Sequence, residues 1–294
     1  MGCYTQLLYS FRTNADCTTE CIDRNFDSEQ FSTNSASSYS FISCSWEGCL
    51  REPGGAISST RAGASIAVIS CTFHRCNSTS GTVPNEEFNG GAICVVRPNS
   101  LVVSSCSFVK CSAPQTDNDN GGSGGIYTHS IQRGISLSSS DFISCFTGSS
   151  GAALFFESVS PTHLNEEIIS DCKFIHCRSQ DQSPDGGAMA LWEHVNVVWC
   201  YNCLFSECST TGSGGGMDIL FGQDFDSYPI KFCFFAHNKG ESGNDLALSA
   251  SYMLEGELIQ HCLSTSAPTR VVYWTTTWCI PDYTWLPQAN SNPT

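Results

Sequence analysis

A short pattern of cysteine and phenylalanine, C-x-F-x-x-C, recurs seven times along the 294-residue chain at intervals of 27 to 35 residues. The seven copies begin at Cys44, Cys71, Cys106, Ser140, Cys172, Cys203 and Cys233. Repeats of this length are typical of solenoid proteins, in which each repeat packs mainly against the repeats before and after it. The pattern therefore predicts a single elongated domain of stacked coils.

Two columns of apolar residues emerge when the seven copies are aligned. The residue two places after the first position is aromatic in every copy: Trp46, Phe73, Phe108, Phe142, Phe174, Phe205 and Phe235. The residue three places before it is apolar in every copy: Phe41, Val68, Val103, Leu137, Ile169, Cys200 and Ile230. An isolated repeat cannot bury such residues, so both columns are predicted to form continuous interior ladders. The residue just after the first position varies from Ser45 to Lys173, as expected for an outward neighbour in a strand.

A glycine-led tetrapeptide follows the pattern in every copy and reads GGAI in two of them. It begins at Gly54, Gly90, Gly124, Gly151, Gly186, Gly214 and Gly243. Glycine adopts positive φ at a corner without steric cost, and Asn244 in the last copy is a tolerated substitute. Each repeat is therefore predicted to form one coil of an all-β parallel β-helix. We expect roughly seven to eight coils, each rising about 4.8 Å along the axis.

The two ends of the chain depart from the repeat. Residues 39–262 carry it, whereas residues 1–38 fit it badly and residues 263–294 are rich in Trp, Pro and Thr. End coils have to be covered or they will template further strands, so both ends are predicted to be caps. The tryptophans Trp274, Trp278 and Trp285 belong either to the C-terminal cap or to a platform that stacks on sugars.

Nineteen cysteines are present, a number that suggests disulfides in small secreted proteins. However, Cys145 is present although Ser140 stands at the position of its partner cysteine. Likewise, Cys233 is present although Asn238 stands at the position of its partner. We therefore expect buried free thiols that pack as small apolar residues, with disulfides between stacked coils as the alternative. The one Cys-x-x-Cys motif, at Cys200 and Cys203, lacks a second pair at zinc-site spacing, so no metal site and no cofactor are expected.

The net charge limits the classes of molecule that the protein is expected to bind. A net charge of −15 and a pI near 4.6 disfavour nucleic acid and leave neutral or cationic partners, such as glycans and protein surfaces. The sequence contains no apolar run of about 18 residues, so no transmembrane helix is predicted. The first ten residues lack the basic and apolar regions of a signal peptide, and the oligomeric state cannot be predicted.

The segments that vary most in length lie between the last position of the pattern and the glycine turn. The longest are 77–89 and 112–122. Insertions in solenoids map to one face, which is often the binding face, although surface loops also vary because they tolerate change. The candidate ligand-binding residues are Asn77, Glu86, Glu87, Phe88, Asp117 and Asp119.

Catalytic residues are not predicted. Polysaccharide cleavage on a β-helix needs acidic residues that meet on adjacent coils, but Asp141, Asp171 and Asp218 occupy different columns. Asp218, together with the downstream Asp224 and Asp226, is interpreted as a group of polar residues on a turn.

The alternation of GGAI turns with F-x-x-C or F-x-x-N steps resembles the repeat of the polymorphic outer membrane proteins. The resemblance covers residues 39–262 and includes GGAI at Gly54 and Gly90, F-x-x-C at Phe73 and F-x-x-N at Phe235. It implies a right-handed β-helix of the pectin-lyase-like superfamily that works in adhesion at a cell surface or outside the cell. No catalytic residue is implied by it.

Three functions are compatible with these features. The first is a non-catalytic protein that adheres to, or binds, a host or cell-surface protein or glycan through its variable loops. The second is a carbohydrate-active enzyme, either a polysaccharide lyase or a glycoside hydrolase. The third is a structural protein that self-assembles, because stacked coils can associate end to end.

Overall fold

Parallel sheets of short strands run along the axis of a β-solenoid. The computed structural model describes residues 18–27, 31–32, 38–51, 54–59, 62–78, 89–114, 122–157, 167–180, 185–192, 198–221, 230–241, 243–250, 259–260 and 263–264. Within these residues there is no helix, and hence none that could cross a membrane, and every strand pairing is parallel.

The sheets are numbered in the order in which each coil visits them. Sheet 1 contains Thr18–Ile22, Ser38–Ile42, Ser65–Ile69, Ser100–Ser104, Ile135–Ser138, Glu167–Ser170, Val198–Tyr201, Ile230–Lys231 and Ile259–Gln260. Sheet 2 contains Asn25–Asp27, Ser45–Glu47, Thr72–His74, Ser107–Val109, Asp141–Ile143, Lys173–Ile175, Leu204–Ser206, Phe234–Ala236 and Leu263–Ser264.

Two further sheets complete the coil. Sheet 3 contains Leu50–Arg51, Asn77–Ser78, Ser112–Ala113, Phe146–Thr147 and Arg178–Ser179. Sheet 4 contains Phe31–Ser32, Ile57–Ser59, Ile93–Val96, Ile126–His129, Leu154–Glu157, Met189–Trp192, Met217–Phe221 and Leu246–Ala250. A two-stranded pair, Asn89–Gly90 with Gly122–Ser123, lies at the corner before sheet 4.

The prediction of an all-β parallel solenoid is confirmed, but the coil count is larger than expected. Sheets 1 and 2 each contain nine strands, one from each coil, against the seven to eight predicted. The additional coil includes Thr18–Ile22 and Asn25–Asp27, which lie inside the segment predicted to be the N-terminal cap. At the other end the strands continue to Leu263–Ser264, and the C-terminal tryptophans lie outside the described residues.

The predicted aromatic column is a stack of rings inside the solenoid. From Phe26 through Trp46 to Phe235, consecutive rings lie 4.5 to 5.2 Å apart and within 11° of parallel. The ring spacing follows from the separation of paired strands, because in-register parallel pairing places identical positions directly above one another. The aliphatic column, from Phe41 to Ile230, is buried as well.

Each coil bends sharply at the residue before each cysteine column. These residues have φ near +50°, in the left-handed region, although most are not glycine. The bend before the second column is formed by Gly48, Arg75, Lys110, Ser144, His176, Glu207 and His237. The left-handed conformation costs a non-glycine residue about 1–2 kcal/mol, so the stacking of the coils has to offset this cost repeatedly.

The glycines of the GGAI turn are required for two different reasons. Gly186 has φ +69°, as predicted for a corner. Gly55 does not have positive φ, but a Cβ atom there would lie 2.2 Å from the carbonyl oxygen of Gly91 in the next coil. Close approach between coils, rather than backbone conformation, therefore explains the glycine at that position.

The fifteen described cysteines are all buried free thiols, and most form two ladders. Cys71 illustrates their role: its Sγ accepts from the N–H of Cys44 at 3.4 Å and lies 3.2 Å from the carbonyl oxygen of Ile69. Ser140 reproduces this arrangement with an oxygen, because it accepts from the N–H of Cys106 and donates to Ser138. The ladder thiols thus satisfy backbone groups at the bends.

Candidate functional site

Sheet 4 differs from the other long sheets because its outward side chains are buried. Its outward row is in register from coil to coil and consists of Ser58, Cys94, Tyr127, Phe155, Ala190, Asp218 and Ala247. Each of these side chains is at most 3% exposed. In sheets 1 and 2 the outward side chains are half-buried or exposed. A parallel sheet with two buried faces has a sheltered outer surface, and we take this surface as the candidate site.

The variable segments flank this sheet in chain order. Segments 79–88 and 115–121 precede its strands, while the connections from sheet 4 back to sheet 1 range from three residues after Val96 to nine after Glu157. The connections that vary most in length therefore lie directly before or after strands of sheet 4 in the chain.

The structure describes one of the six predicted ligand-binding residues. Asn77 lies on the sheet 3 strand Asn77–Ser78 rather than in a loop, and its Oδ1 accepts a hydrogen bond from Ser112 Oγ at 2.8 Å. The predicted loops 77–89 and 112–122 therefore begin and end in strands, and residues 79–88 and 115–121 between them lie outside the described residues. Glu86, Glu87, Phe88, Asp117 and Asp119 lie outside the described residues.

A carboxylate lies at the accessible margin of the sheet 4 surface. Tyr127 Oη donates a hydrogen bond to Glu157 Oε2 at 2.5 Å, and His129 Nδ1 lies 3.6 Å from the same oxygen. Burial raises the pKa of Glu157, but the interactions with His129 and Tyr127 outweigh burial, so the pKa is lowered overall. The Glu157 side chain is 27% exposed and the His129 side chain 20%. Glu157 is therefore an ionised, reachable hydrogen-bond acceptor at neutral pH.

A second carboxyl group lies deeper on the same surface. Asp218 is 2% exposed, and its Oδ1 has no hydrogen-bond partner among the described residues. Burial raises the pKa of Asp218 well above its usual value, and Asp185 raises it further, whereas Trp192 lowers it. Trp192 Nε1 also lacks a hydrogen-bond partner among the described residues. Burial thus favours the protonated form of Asp218, and its Oδ1 is an unused acceptor.

Asp185 borders this buried carboxyl group. Its Oδ1 accepts from the N–H of Ser213 at 3.0 Å, and its own N–H donates to Ser150 Oγ. Burial raises the pKa of Asp185, and the hydrogen bonds from Ser213 oppose the shift. The two aspartates thus share a sheltered region at the corner before sheet 4.

Aromatic rings connect the two carboxyl groups. Phe155 packs edge-on against Tyr127 at 5.5 Å and against Trp192 at 4.9 Å. Together with Cys94, Val96 and Ala190 these rings form an apolar cluster separate from the interior core. The surface therefore combines ring faces with hydrogen-bonding groups at both ends.

Most of this surface is not predicted from the sequence. Asp218 is predicted to lie on a turn, but it lies on the buried strand Met217–Phe221. Glu157, Tyr127 and Trp192 were not identified, because both faces of sheet 4 are buried and the strands lack an apolar–polar alternation. The sequence signal that could have identified Asp218 is a polar residue inside a nearly continuous apolar run.

Comparisons with other proteins do not identify the chain: no family model, no curated protein and no solved structure matches it significantly.

Proposed function

We propose that this protein is a non-catalytic β-solenoid that binds a neutral glycan at the accessible margin of sheet 4 and through the loops at its two corners. One observation carries the proposal: the partly exposed side chains of His129, Glu157 and Trp192 are in register on neighbouring strands at this margin. Aromatic faces stack on the C–H surfaces of sugars, and a few well-placed polar groups select their hydroxyls. The resemblance to adhesive surface repeats and the acidic net charge also support an uncharged ligand.

Binding to an array of immobilised oligosaccharides tests the proposal. Trp192→Ala should weaken binding of any recognised glycan at least about tenfold, since the partly exposed ring that would stack on a sugar is removed. Phe234→Ala is a matched control, because Phe234 is a 37% exposed aromatic residue on sheet 2, away from the proposed surface. Equal losses in both variants, or no loss in either, would contradict the assignment to sheet 4.

The contribution of the loops is tested separately. Replacing segments 79–88 and 115–121 with short Gly-Ser linkers should reduce binding or change which glycans are recognised, because these segments directly precede strands of sheet 4 and its corner in the chain. Circular dichroism and thermal melting establish that each shortened protein keeps the solenoid. Unchanged binding by both proteins would show that the loops do not contribute, and only the surface of sheet 4 would then account for binding.

A glycoside hydrolase is the second candidate, and the two carboxyl groups favour it. The pKa of Glu157 is lowered while that of Asp218 is raised, which is the division of roles that a base or nucleophile and a proton donor require. Their strands are two apart in sheet 4, a separation of about 10 Å between backbones. Release of reducing sugar from a polysaccharide, abolished by both Glu157→Gln and Asp218→Asn, would establish hydrolysis. Binding without any release would exclude it.

A further inference from the structure

Three cysteines bring their sulfur atoms together inside the solenoid, near its C-terminal end. The Sγ atoms of Cys200, Cys203 and Cys233 all lie within 4.8 Å of one another, and those of Cys200 and Cys233 are 3.7 Å apart. All three side chains are at most 2% exposed. Among the described residues no other group of histidine, cysteine or acidic side chains has this arrangement.

The cluster arises because one residue departs from the repeat. Cys203 and Cys233 are consecutive members of a thiol ladder, since Leu204 pairs with Phe234 in sheet 2. Cys200 instead occupies the aliphatic column, where the coils on either side have Ile169 and Ile230. In all other copies of the pattern this column is aliphatic or aromatic, so the ladder sulfurs have an apolar neighbour there. Cys21 occupies the same column in the first described coil, but among the described residues only Cys200 brings three sulfur atoms together.

Backbone hydrogen bonding accounts for the ladder cysteines but not for Cys200. Cys203 Sγ lies 3.1 Å from the carbonyl oxygen of Tyr201, and Cys233 Sγ lies 3.5 Å from that of Lys231, as in the other coils. The contact of Cys200 Sγ is with another sulfur atom, Cys233 Sγ. An aliphatic side chain would fill the same space without placing a polar atom in the core.

We propose that Cys200, Cys203 and Cys233 bind one Cu⁺ ion in the interior of the solenoid. Thiolate ligands select soft cations over Ca²⁺ and Mg²⁺, which require oxygen ligands. Metal–thiolate bonds of about 2.3 Å require sulfur atoms roughly 4 Å apart, and the sulfur atoms of Cys200 and Cys233 lie 3.7 Å apart. The bound cation replaces the thiol protons, which pass to solvent, and no electron is transferred.

The number of clustered thiols distinguishes Cu⁺ from Zn²⁺. Cys172 precedes Cys203 in the same ladder, but it is two coils from Cys233, about 10 Å along the axis. One ion cannot bond both sulfur atoms, so Cys172 cannot complete a four-ligand Zn²⁺ site with the three clustered thiols. Cu⁺ is satisfied by three thiolates and leaves Cys172 in the ladder.

The test is anaerobic titration of the full, reduced chain with Co²⁺, Zn²⁺ and Cu⁺ separately. Co²⁺ is the optical probe, because thiolate coordination gives it an intense near-ultraviolet charge-transfer band. We expect one equivalent of Cu⁺ to bind and to displace any bound Co²⁺, whereas Zn²⁺ should bind more weakly. Cys172→Ser should leave Cu⁺ binding unchanged, because Cys172 lies outside the three-thiol cluster.

Two variants make the result specific. Cys200→Ile restores the aliphatic column of the neighbouring coils, so it should fold and should lose at least about 100-fold in affinity, since even outer-shell changes cost 10- to 100-fold. Cys106→Ser is the control, because Ser140 already occupies the equivalent position in the next coil, and it should bind like the original protein. No stoichiometric binding, equal binding by Cys200→Ile, or a Cys200–Cys233 disulfide in protein from its native source would overturn the proposal.

Discussion

Asn238 Nδ2 donates a hydrogen bond to the carbonyl oxygen of Phe205 at 3.0 Å, in the same position from which Cys208 Sγ reaches the carbonyl oxygen of Phe174 at 3.4 Å. The N–H of Cys208 in turn donates to Asn238 Oδ1. Asparagine and cysteine are thus interchangeable in this column because each satisfies backbone groups of the preceding coil. The F-x-x-C and F-x-x-N forms of the repeat have one physical explanation.

Asn238 and Asp245 should be energetically coupled. Asn238 Nδ2 also donates to Asp245 Oδ1 at 3.0 Å, and Asp245 stands where the earlier turn GGAM has Ala188. Asn238→Cys should cost about 1–3 kcal/mol, because a buried carboxylate loses a charged hydrogen bond. Asp245→Ala made in that variant should restore part of the loss. Urea unfolding of both single variants and the double variant measures the coupling, and an additive result contradicts it.

Truncation in the middle of the aromatic stack should be severely destabilising. Phe142 is fully buried between Phe108 and Phe174, so Phe142→Ala removes two ring contacts and leaves a cavity that a regular stack cannot close. We expect a loss of about 3–5 kcal/mol in the free energy of unfolding. Phe142→Leu should lose less, because it fills part of the cavity. A loss below about 1 kcal/mol for the alanine variant would show that the stack can repack.

Relief of backbone strain should be measurable at an exposed bend. Lys110 has φ +54° and its side chain is exposed. Lys110→Gly should leave stability unchanged or raise it by about 1 kcal/mol, whereas Lys110→Val should lower it, since a β-branched residue tolerates this conformation least. Thermal melting compares the two variants. The opposite ranking would mean that the lysine side chain, and not the backbone, determines stability here.

Stability should depend on pH through Asp218. Its pKa is raised in the folded state, so the folded state retains the proton more strongly than the unfolded chain. The resulting stabilisation is complete below the unfolded pKa of about 3.9 and is lost as pH rises towards the folded pKa. Asp218→Asn removes this loss, so its stability relative to the original protein should increase between pH 4 and pH 8. A constant difference across that range would contradict a raised pKa.

Glu157 should produce the opposite trend. Its pKa is lowered in the folded state, so its contribution is present above the unfolded pKa of about 4.3 and is lost as pH falls through the folded value. Tyr127→Phe removes the hydroxyl donor at 2.5 Å and should reduce this contribution. Denaturant unfolding at pH 3 and pH 7 should show the variant losing stability mainly at pH 7. Equal losses at both values would indicate a packing effect.

The interior of the solenoid was predictable because its residues repeat. A column that is aromatic in every copy has one physical solution, a stack such as Phe108 on Phe142. The first coil was missed because Arg24 and Glu29 stand where the pattern has its cysteines, although Phe26 keeps the aromatic position. The aromatic position was therefore the more reliable marker.

The candidate surface could not be predicted in the same way because it does not repeat. Tyr127, Phe155, Ala190 and Asp218 occupy equivalent positions in consecutive coils but share no chemistry. Their meaning depends on which face of the strand they occupy and on neighbours from other coils. Only the register brings Glu157 within reach of both Tyr127 and His129.

In-register stacking gives the surface of the solenoid a regular repeat along its axis. Equivalent atoms of sheet 4 recur along its axis about every 4.8 Å, so an extended polymer lying across the strands meets a new set of side chains at each step. For the proposed glycan ligand, each added sugar unit would engage another coil as an intramolecular event at high effective concentration. We therefore expect the proposed binding to discriminate between short and long chains without a single tight subsite.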